Sequence, residues 1–95
     1  MILAPTKFPL GQVVATPGAI EAMKSEGADA GGLLARHGAG DWGEVCAEDK
    51  KANEAALKHE ARLMSAYTLP KTGAKLWVIT EADKSATTLL LPDEY

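Results

Sequence analysis

The sequence predicts an α+β fold: a short N-terminal strand, then two to three helices, then a three-stranded antiparallel meander with the helices packed on one face. Three observations predict it. Residues 12–15 contain two adjacent β-branched valines, residues 16–59 carry helix caps and helix-forming side chains, and apolar residues alternate in residues 61–91. A chain of 95 residues is expected to form one domain, residues 1–95.

The first nine residues contain two prolines and show no clear hydrophobic period, so residues 1–9 are predicted to form an extended arm. Phe8 and Leu10 are its expected anchors. The run Gln12–Ala15 then predicts a short strand, because it is brief and carries two adjacent valines.

The first helix has clear start and stop signals. Thr16 can cap it and Pro17 suits its first position, while Gly27 is typical of a helix end. Ile20 and Met23 are expected to form its buried stripe.

Asp29 can cap a second short helix, which carries Leu33, Leu34 and His37. A third helix is predicted over residues 47–59, which are rich in Ala, Glu and Lys. Its expected buried face is a shallow one, consisting of Ala52, Ala55, Ala56 and His59.

The second half predicts strands at residues 61–69, 76–81 and 87–91, joined by a Pro/Gly turn and a tight acidic connection. Trp77 and Ile79 share one face of the central strand, and both faces are partly apolar. Helices can cover only one of them. The other face is therefore a candidate interface with a partner or with a second copy of the chain.

Composition narrows the function classes. The net charge of −3 is spread evenly, and the only arginines are Arg36 and Arg62, which disfavours direct nucleic-acid binding. A lone cysteine, Cys46, cannot form an intramolecular disulfide and fits a reducing compartment. No secretory signal and no membrane-length apolar run occurs. The expected location is the cytoplasm, without a membrane partner.

Residues 37–44 (HGAGDWGE) form the most distinctive segment, because three glycines, a tryptophan, a histidine and two carboxylates lie between two predicted helices. A core does not need that mixture, so the segment is either a specially shaped turn or a site. Trp42 either fills the small core or stands out as an anchor for a partner, flanked by Asp41 and Glu44.

A metal site is one interpretation of this segment. His37, Asp41 and Glu44 are spaced by four and three residues, and Glu48 follows. The alternative is that Asp41 caps a turn, His37 closes its helix and Glu44 is solvated. The second interpretation is favoured because the spacing is not distinctive.

A nuclease is another interpretation, since Asp41 followed by Glu48-Asp49-Lys50 contains an acid-then-Glu-x-Lys pattern. In restriction-type nucleases that pattern lies on a strand. Here it opens a predicted helix, where acidic residues are explained by the helix dipole.

Three further motifs carry less weight. Cys46 would need His37 or His59 as a base, and nothing in the spacing links them. Residues 38–43 match GxGxxG but follow a helix rather than a strand, so no nucleotide or other cofactor is expected. The acidic turn with Glu81 and Asp83 is an ordinary turn that could also dock a basic partner.

An ordered series of blocks carries a resemblance: residues 8–19 (FPLGQVVATPGA), 40–43 (GDWG), 65–67 (SAY), 77–83 (WVITEAD) and 87–92 (TTLLLP). With these blocks the chain resembles a family of small bacterial proteins encoded on plasmids and integrated mobile elements, called plasmid-related proteins. The resemblance implies a role in the contest between the element and its host. It transfers no catalytic residue.

Three functional hypotheses follow. The first is a non-enzymatic protein-binding module, acting as a stoichiometric inhibitor of a host CRISPR or restriction complex. Its expected contact residues are Asp41, Trp42, Glu44, Trp77, Glu81 and Asp83. The second is a metal-dependent, nuclease-like enzyme using His37, Asp41, Glu44 and Glu48. The third is a homodimeric structural accessory protein.

Overall fold

The computed structural model describes residues 6–95; of the predicted arm, residues 1–5 lie outside that part. The elements run in this order: β1 (Gln12–Ala15), α1 (Pro17–Glu26), α2 (Ala30–Gly38), α3 (Ala47–Ala56), β2 (Leu63–Thr68), β3 (Lys75–Thr80), β4 (Ala86–Leu90) and a 3₁₀ helix (Pro92–Glu94). The α+β class is confirmed. None of the helices in residues 6–95 has the length and apolar character needed to cross a membrane.

The four strands form one sheet in the order β1-β4-β3-β2. The meander is confirmed, because β2 pairs with β3 and β3 with β4, both antiparallel. The sheet as a whole is mixed, however, since β1 joins it parallel to β4. Predicting an antiparallel meander alone missed this pairing, because the partner of β1 lies at the other end of the sequence and no local turn signal announces it.

α1 begins and ends where its caps predict. The Thr16 hydroxyl oxygen accepts a hydrogen bond from the Ala19 backbone N–H at 3.1 Å, and Gly27 ends the helix in the left-handed conformation with φ of 72°. Its buried stripe consists of Ala19 and Met23, four residues apart on one face. The expected stripe was wrong at Ile20, which lies about 100° further round the helix and is 47% exposed.

α3 ends at Ala56 rather than His59, and its buried residues are Asn53 and Ala56. The predicted face was wrong at three positions, since these are exposed: Ala52, Ala55 and His59. The reason is that α3 lies along the edge of β2 instead of over a sheet face. There the Asn53 amide donates to the Met64 carbonyl oxygen at 2.7 Å and accepts from the Met64 N–H at 3.0 Å.

The two faces of the sheet differ. The face that we call the helix-covered face carries these buried residues: Leu63, Ser65, Tyr67, Leu76, Val78, Thr80, Thr87 and Leu89. It packs on α1 and α2 and on a second cluster of Phe8, Trp42 and Ala56. The opposite side, the open face, carries Met64, Ala66, Trp77, Ile79, Thr88 and Leu90.

Candidate protein-interaction surface

The histidine of the segment 37–44 lies in the core. His37 has no exposed surface, and both ring nitrogens have partners: Nδ1 lies 2.6 Å from Ser65 Oγ and Nε2 lies 3.0 Å from Thr80 Oγ1. A chain of hydrogen bonds continues from there. The Thr80 and Thr87 hydroxyl oxygens lie 2.7 Å apart, and the Thr87 hydroxyl donates to the Leu10 carbonyl oxygen at 2.6 Å.

The end of this hydrogen-bond chain fixes the proton positions from Thr87 back to Nε2 of His37. A carbonyl oxygen only accepts, so Thr87 donates its hydroxyl proton to the Leu10 oxygen and must accept from Thr80. Thr80 in turn accepts from Nε2–H of His37. Since burial disfavours the charged imidazolium, Nδ1 carries no proton and accepts from the Ser65 hydroxyl. His37 is therefore held as the neutral Nε2–H tautomer. Its burial lowers its pKa from 6.5 to about 4, which is consistent with that neutral state.

Trp42 also lies in the core, with an exposed fraction of 3%. Its ring stacks on Phe8 with centroids 6.2 Å apart, and its edge contacts the His37 ring at 5.8 Å. The indole N–H donates to the Glu54 carboxylate at 2.7 Å. Of the two alternatives for Trp42, the structure shows the core position, so its side chain offers a partner almost no surface.

The residues after Trp42 cover the outer edge of β2. The Ala66 N–H donates to the Trp42 carbonyl at 3.0 Å, and the Glu44 N–H donates to the Ala66 carbonyl at 2.7 Å. Gly43, between them, has φ of 72°, and a Cβ there would lie 2.1 Å from the Ala66 oxygen. The position thus requires glycine, both for its conformation and for its close approach.

Asp41 stabilises the turn that leads into the segment covering the β2 edge. Its carboxylate pairs with Arg36 at 2.7 Å and accepts from the Gly43 N–H at 3.2 Å. The hydrogen bond from Arg36 holds the pKa of Asp41 below its usual value, and the Gly43 N–H acts in the same direction against partial desolvation. The Asp41 carbonyl accepts from the Tyr67 hydroxyl at 2.6 Å.

The metal and nuclease residues are not brought together. No group of three His, Cys, Asp or Glu side chains within residues 6–95 is arranged to hold a metal ion. His37 has both nitrogens engaged, and the Glu44 carboxylate accepts from the Thr68 hydroxyl. Glu48 and Asp49 lie in the first turn of α3, where the helix dipole accounts for them.

The open face has two clefts. The first, which we call the Trp77 cleft, has a volume of about 360 Å³ and is lined by Glu44, Cys46, Asp49, Met64, Lys75 and Trp77 among others. The second, the Tyr95 cleft, has a volume of about 330 Å³ and is lined by Arg62, Ile79, Glu81, Thr88, Glu94 and Tyr95 among others. The Trp77 and Tyr95 rings meet edge to face with centroids 5.7 Å apart, so this aromatic pair lies at the boundary between the two clefts.

Three of the predicted contact residues line these clefts. Glu44 and Trp77 meet in the Trp77 cleft, and Glu81 borders the Tyr95 cleft. Asp83 lies in the β3–β4 turn, where it accepts from the Ser85 N–H at 2.9 Å and its pKa is lowered by hydrogen bonds from Ser85. Asp41 and Trp42 line neither cleft.

Several lining residues were missed by the sequence analysis: Arg62, Met64, Lys75 and Tyr95. The alternation along β2 is the signal that could have placed Met64 beside Trp77, because Ser65 and Tyr67 occupy the other face. Tyr95 had no such signal. It reaches the open face because the Glu94 carboxylate accepts from the Thr16 hydroxyl at 2.5 Å and from the Gly18 N–H at 3.2 Å.

Neither the protein-family models, nor the curated proteins, nor the solved structures contain a match to this chain.

Proposed function

We propose that this protein is a non-enzymatic protein-binding module of a mobile genetic element that inhibits a host CRISPR or restriction complex by stoichiometric binding. One observation carries the proposal: within residues 6–95, α1 and α2 cover only the helix-covered face, while the open face, against which the 3₁₀ helix packs, presents two clefts. Trp77 is half-buried there and is bordered by Met64 and Ala66. Aromatic side chains with one exposed side are typical anchors of protein interfaces.

The charges around the clefts favour a basic partner. In the Trp77 cleft two carboxylates, Glu44 and Asp49, accompany one cation, Lys75. In the Tyr95 cleft the acidic side chains of Glu81 and Glu94 accompany Arg62. Each cleft therefore has an acidic surplus at neutral pH. Surfaces that hold nucleic acid are rich in Lys and Arg, so complexes that target nucleic acid offer the complementary charge.

The resemblance to plasmid-related proteins supports the same class of partner, because an element that enters a cell meets its defence complexes. Inhibition by binding needs no catalytic group, only surface complementarity. The expected mode is competition with nucleic acid for a basic groove.

Plasmid transformation into cells with an active restriction or CRISPR system tests the proposal. Expression of the protein should raise the transformation frequency at least about tenfold. Glu81→Lys should remove most of that gain, because it reverses a charge beside the Tyr95 cleft. Glu48→Lys makes the same charge change on α3, outside both clefts, and should keep the gain.

Unchanged transformation in every defence background would contradict the proposal. So would equal loss in the two charge-reversal variants when both are folded by circular dichroism, since the effect would then reflect net charge and not the open face.

A further inference from the structure

The two edges of the sheet differ in whether other parts of the chain pair with their backbone groups. The β2 edge is covered by the chain itself, through the Asn53 amide on Met64 and the Trp42–Glu44 backbone on Ala66. The other edge is β1, whose four residues pair with β4 and with no second strand among residues 6–95. An edge strand with unpaired backbone groups is a template for pairing with another strand.

The backbone direction of β1 can be assigned from its bonds to β4. The Gln12 N–H donates to Ser85 at 2.9 Å, and the Thr16 N–H donates to Leu89 at 3.0 Å. Backbone groups alternate in direction along a strand, so the N–H and C=O groups of Val13 and Ala15 point outward, away from the sheet. Two donors and two acceptors are thus aligned at this edge.

The side chains at this edge are apolar and exposed. Val13 is 45% exposed and Val14 is 41% exposed, on opposite faces of the sheet. With Ile20, they make up three of the four large apolar side chains that are exposed within residues 6–95. Natural edge strands are commonly protected by lysine or another charge, yet residues 8–20 contain no Asp, Glu, Lys or Arg.

We infer that two copies of this chain pair antiparallel through β1, so that their sheets join into one of eight strands, four from each copy. A two-fold axis at Val14 places Val13 of each copy opposite Ala15 of the other. The outward N–H and C=O groups of those residues then exchange four hydrogen bonds. The two Val14 side chains meet across the axis, in the position where cross-strand Cβ atoms lie about 4.5–5.5 Å apart.

The absence of charge points to a second copy as the occupant. A two-fold axis places the same segment on both sides of the interface, so that residue i meets residue j and j meets i. A segment without charged residues therefore meets no like charge in that arrangement. A strand of this length buries less than the roughly 1,200–2,000 Å² of a standard stable interface. The dimer is therefore reversible, and its population rises with protein concentration. The inference goes beyond the proposed function, because β1 is a different surface from the clefts.

Sedimentation velocity over a wide concentration range tests the pairing. The wild-type protein should shift from monomer to dimer as concentration rises. Val14→Lys and Val14→Glu should each weaken the dimer at least about tenfold, because like charges then meet at the axis. An equimolar mixture of the two variants should recover a dimer. Ala52→Lys, an exposed alanine on α3 at the far edge, is the matched control and should leave the wild-type dimer intact.

A wild-type protein that stays monomeric up to its solubility limit would overturn the inference. A dimer that survives both Val14 variants would also overturn it, because its interface would lie elsewhere. Hydrogen exchange adds a third readout: the Val13 and Ala15 amides should exchange more slowly as concentration rises. Slow exchange of these amides in a monomer would show that the chain covers its own edge and would overturn the pairing.

Discussion

Nδ1 of His37 accepts a hydrogen bond from the Ser65 hydroxyl over 2.6 Å, at the centre of a buried polar chain that links α2 to three strands and to Leu10. The contact explains why a histidine occupies this position: a neutral imidazole both accepts and donates. The hydrogen bond stabilises the fold and leaves no ring nitrogen for chemistry.

Stability should fall as pH drops from about 6.5 to about 4, because His37 has an ordinary pKa of 6.5 and a folded pKa of about 4. The unfolded chain binds a proton in this window that the folded chain does not, so the contribution is complete above the window and lost through it. The total loss is about 3 kcal/mol. Urea unfolding at stepped pH values measures it.

His37→Gln removes the titrating group at this position. The variant is expected to be less stable at pH 7 and to show a flatter profile between pH 6.5 and 4. An unchanged slope would show that His37 is not responsible. The carboxylates whose pKa values are lowered, including Asp41 and Glu94, begin to lose their contributions below about pH 5. His37→Gln keeps these carboxylates, so the difference between the wild-type and variant profiles isolates the part that belongs to His37.

Trp42→Ala should destabilise the protein by about 3–5 kcal/mol, because it removes a buried aromatic ring that packs on Phe8. Against the total stability of about 5–15 kcal/mol that is typical of a small domain, that loss is large, and it unfolds the variant when the wild-type stability lies at the lower end of this range. Trp42→Phe keeps an aromatic ring and gives up the indole bond to Glu54, so its cost should be smaller. Equal stability of wild type and Trp42→Ala in urea would contradict the core position.

Gly43→Ala and Gly73→Ala form a matched pair. Both glycines have positive φ, 72° and 76°, but a Cβ at Gly73 meets nothing within 4 Å. Gly73→Ala should therefore cost about 1–2 kcal/mol, for conformation alone. Gly43→Ala should cost clearly more, because its Cβ collides with Ala66 and separates the segment from β2. Thermal unfolding measures both, and equal costs would refute the close approach.

Asn53→Asp should destabilise the protein by about 2–3 kcal/mol, because a carboxylate cannot donate to the Met64 carbonyl and leaves that group unpaired. Asn53→Gln keeps the amide but displaces it by one methylene, and should also be destabilised. Glu54→Gln, at the next position, is the control. It removes one charge while keeping an acceptor for the Trp42 indole N–H. Stability of Asn53→Asp equal to that of Glu54→Gln would argue against the amide pairing.

Local signals in the sequence were sufficient for the helix starts and for the meander. Thr16, Pro17 and Gly27 act through their neighbours alone, and the alternation in β2 reflects the pleat itself. The errors came from tertiary contacts. An alanine-rich helix was expected to press its alanines on a sheet, but α3 meets a strand edge, where Asn53 has the hydrogen-bonding groups that a strand edge needs.

The candidate site, like the fold, could be predicted from the sequence only in part. Trp77 and Glu81 could be placed on the meander from their spacing, and both border the clefts. The burial of Trp42 could not be inferred, because it depends on Phe8 folding back from the opposite end of the helical region. The position of Tyr95 between the clefts also depends on tertiary contacts. Arg62 donates to its hydroxyl, Trp77 packs against its ring, and the preceding Glu94 is anchored at the start of α1.

Binding to a purified defence complex, chosen as one that the protein relieves in cells, is the most direct test of the central claim. Calorimetric titration should give one protein bound per nucleic-acid site, with affinity that falls as salt rises. Prior loading of the complex with its nucleic acid should abolish binding, and Glu81→Lys should weaken it while Glu48→Lys does not. Binding that persists on the loaded complex, or that is equally strong with both variants, would contradict an acidic open face that occupies a basic groove.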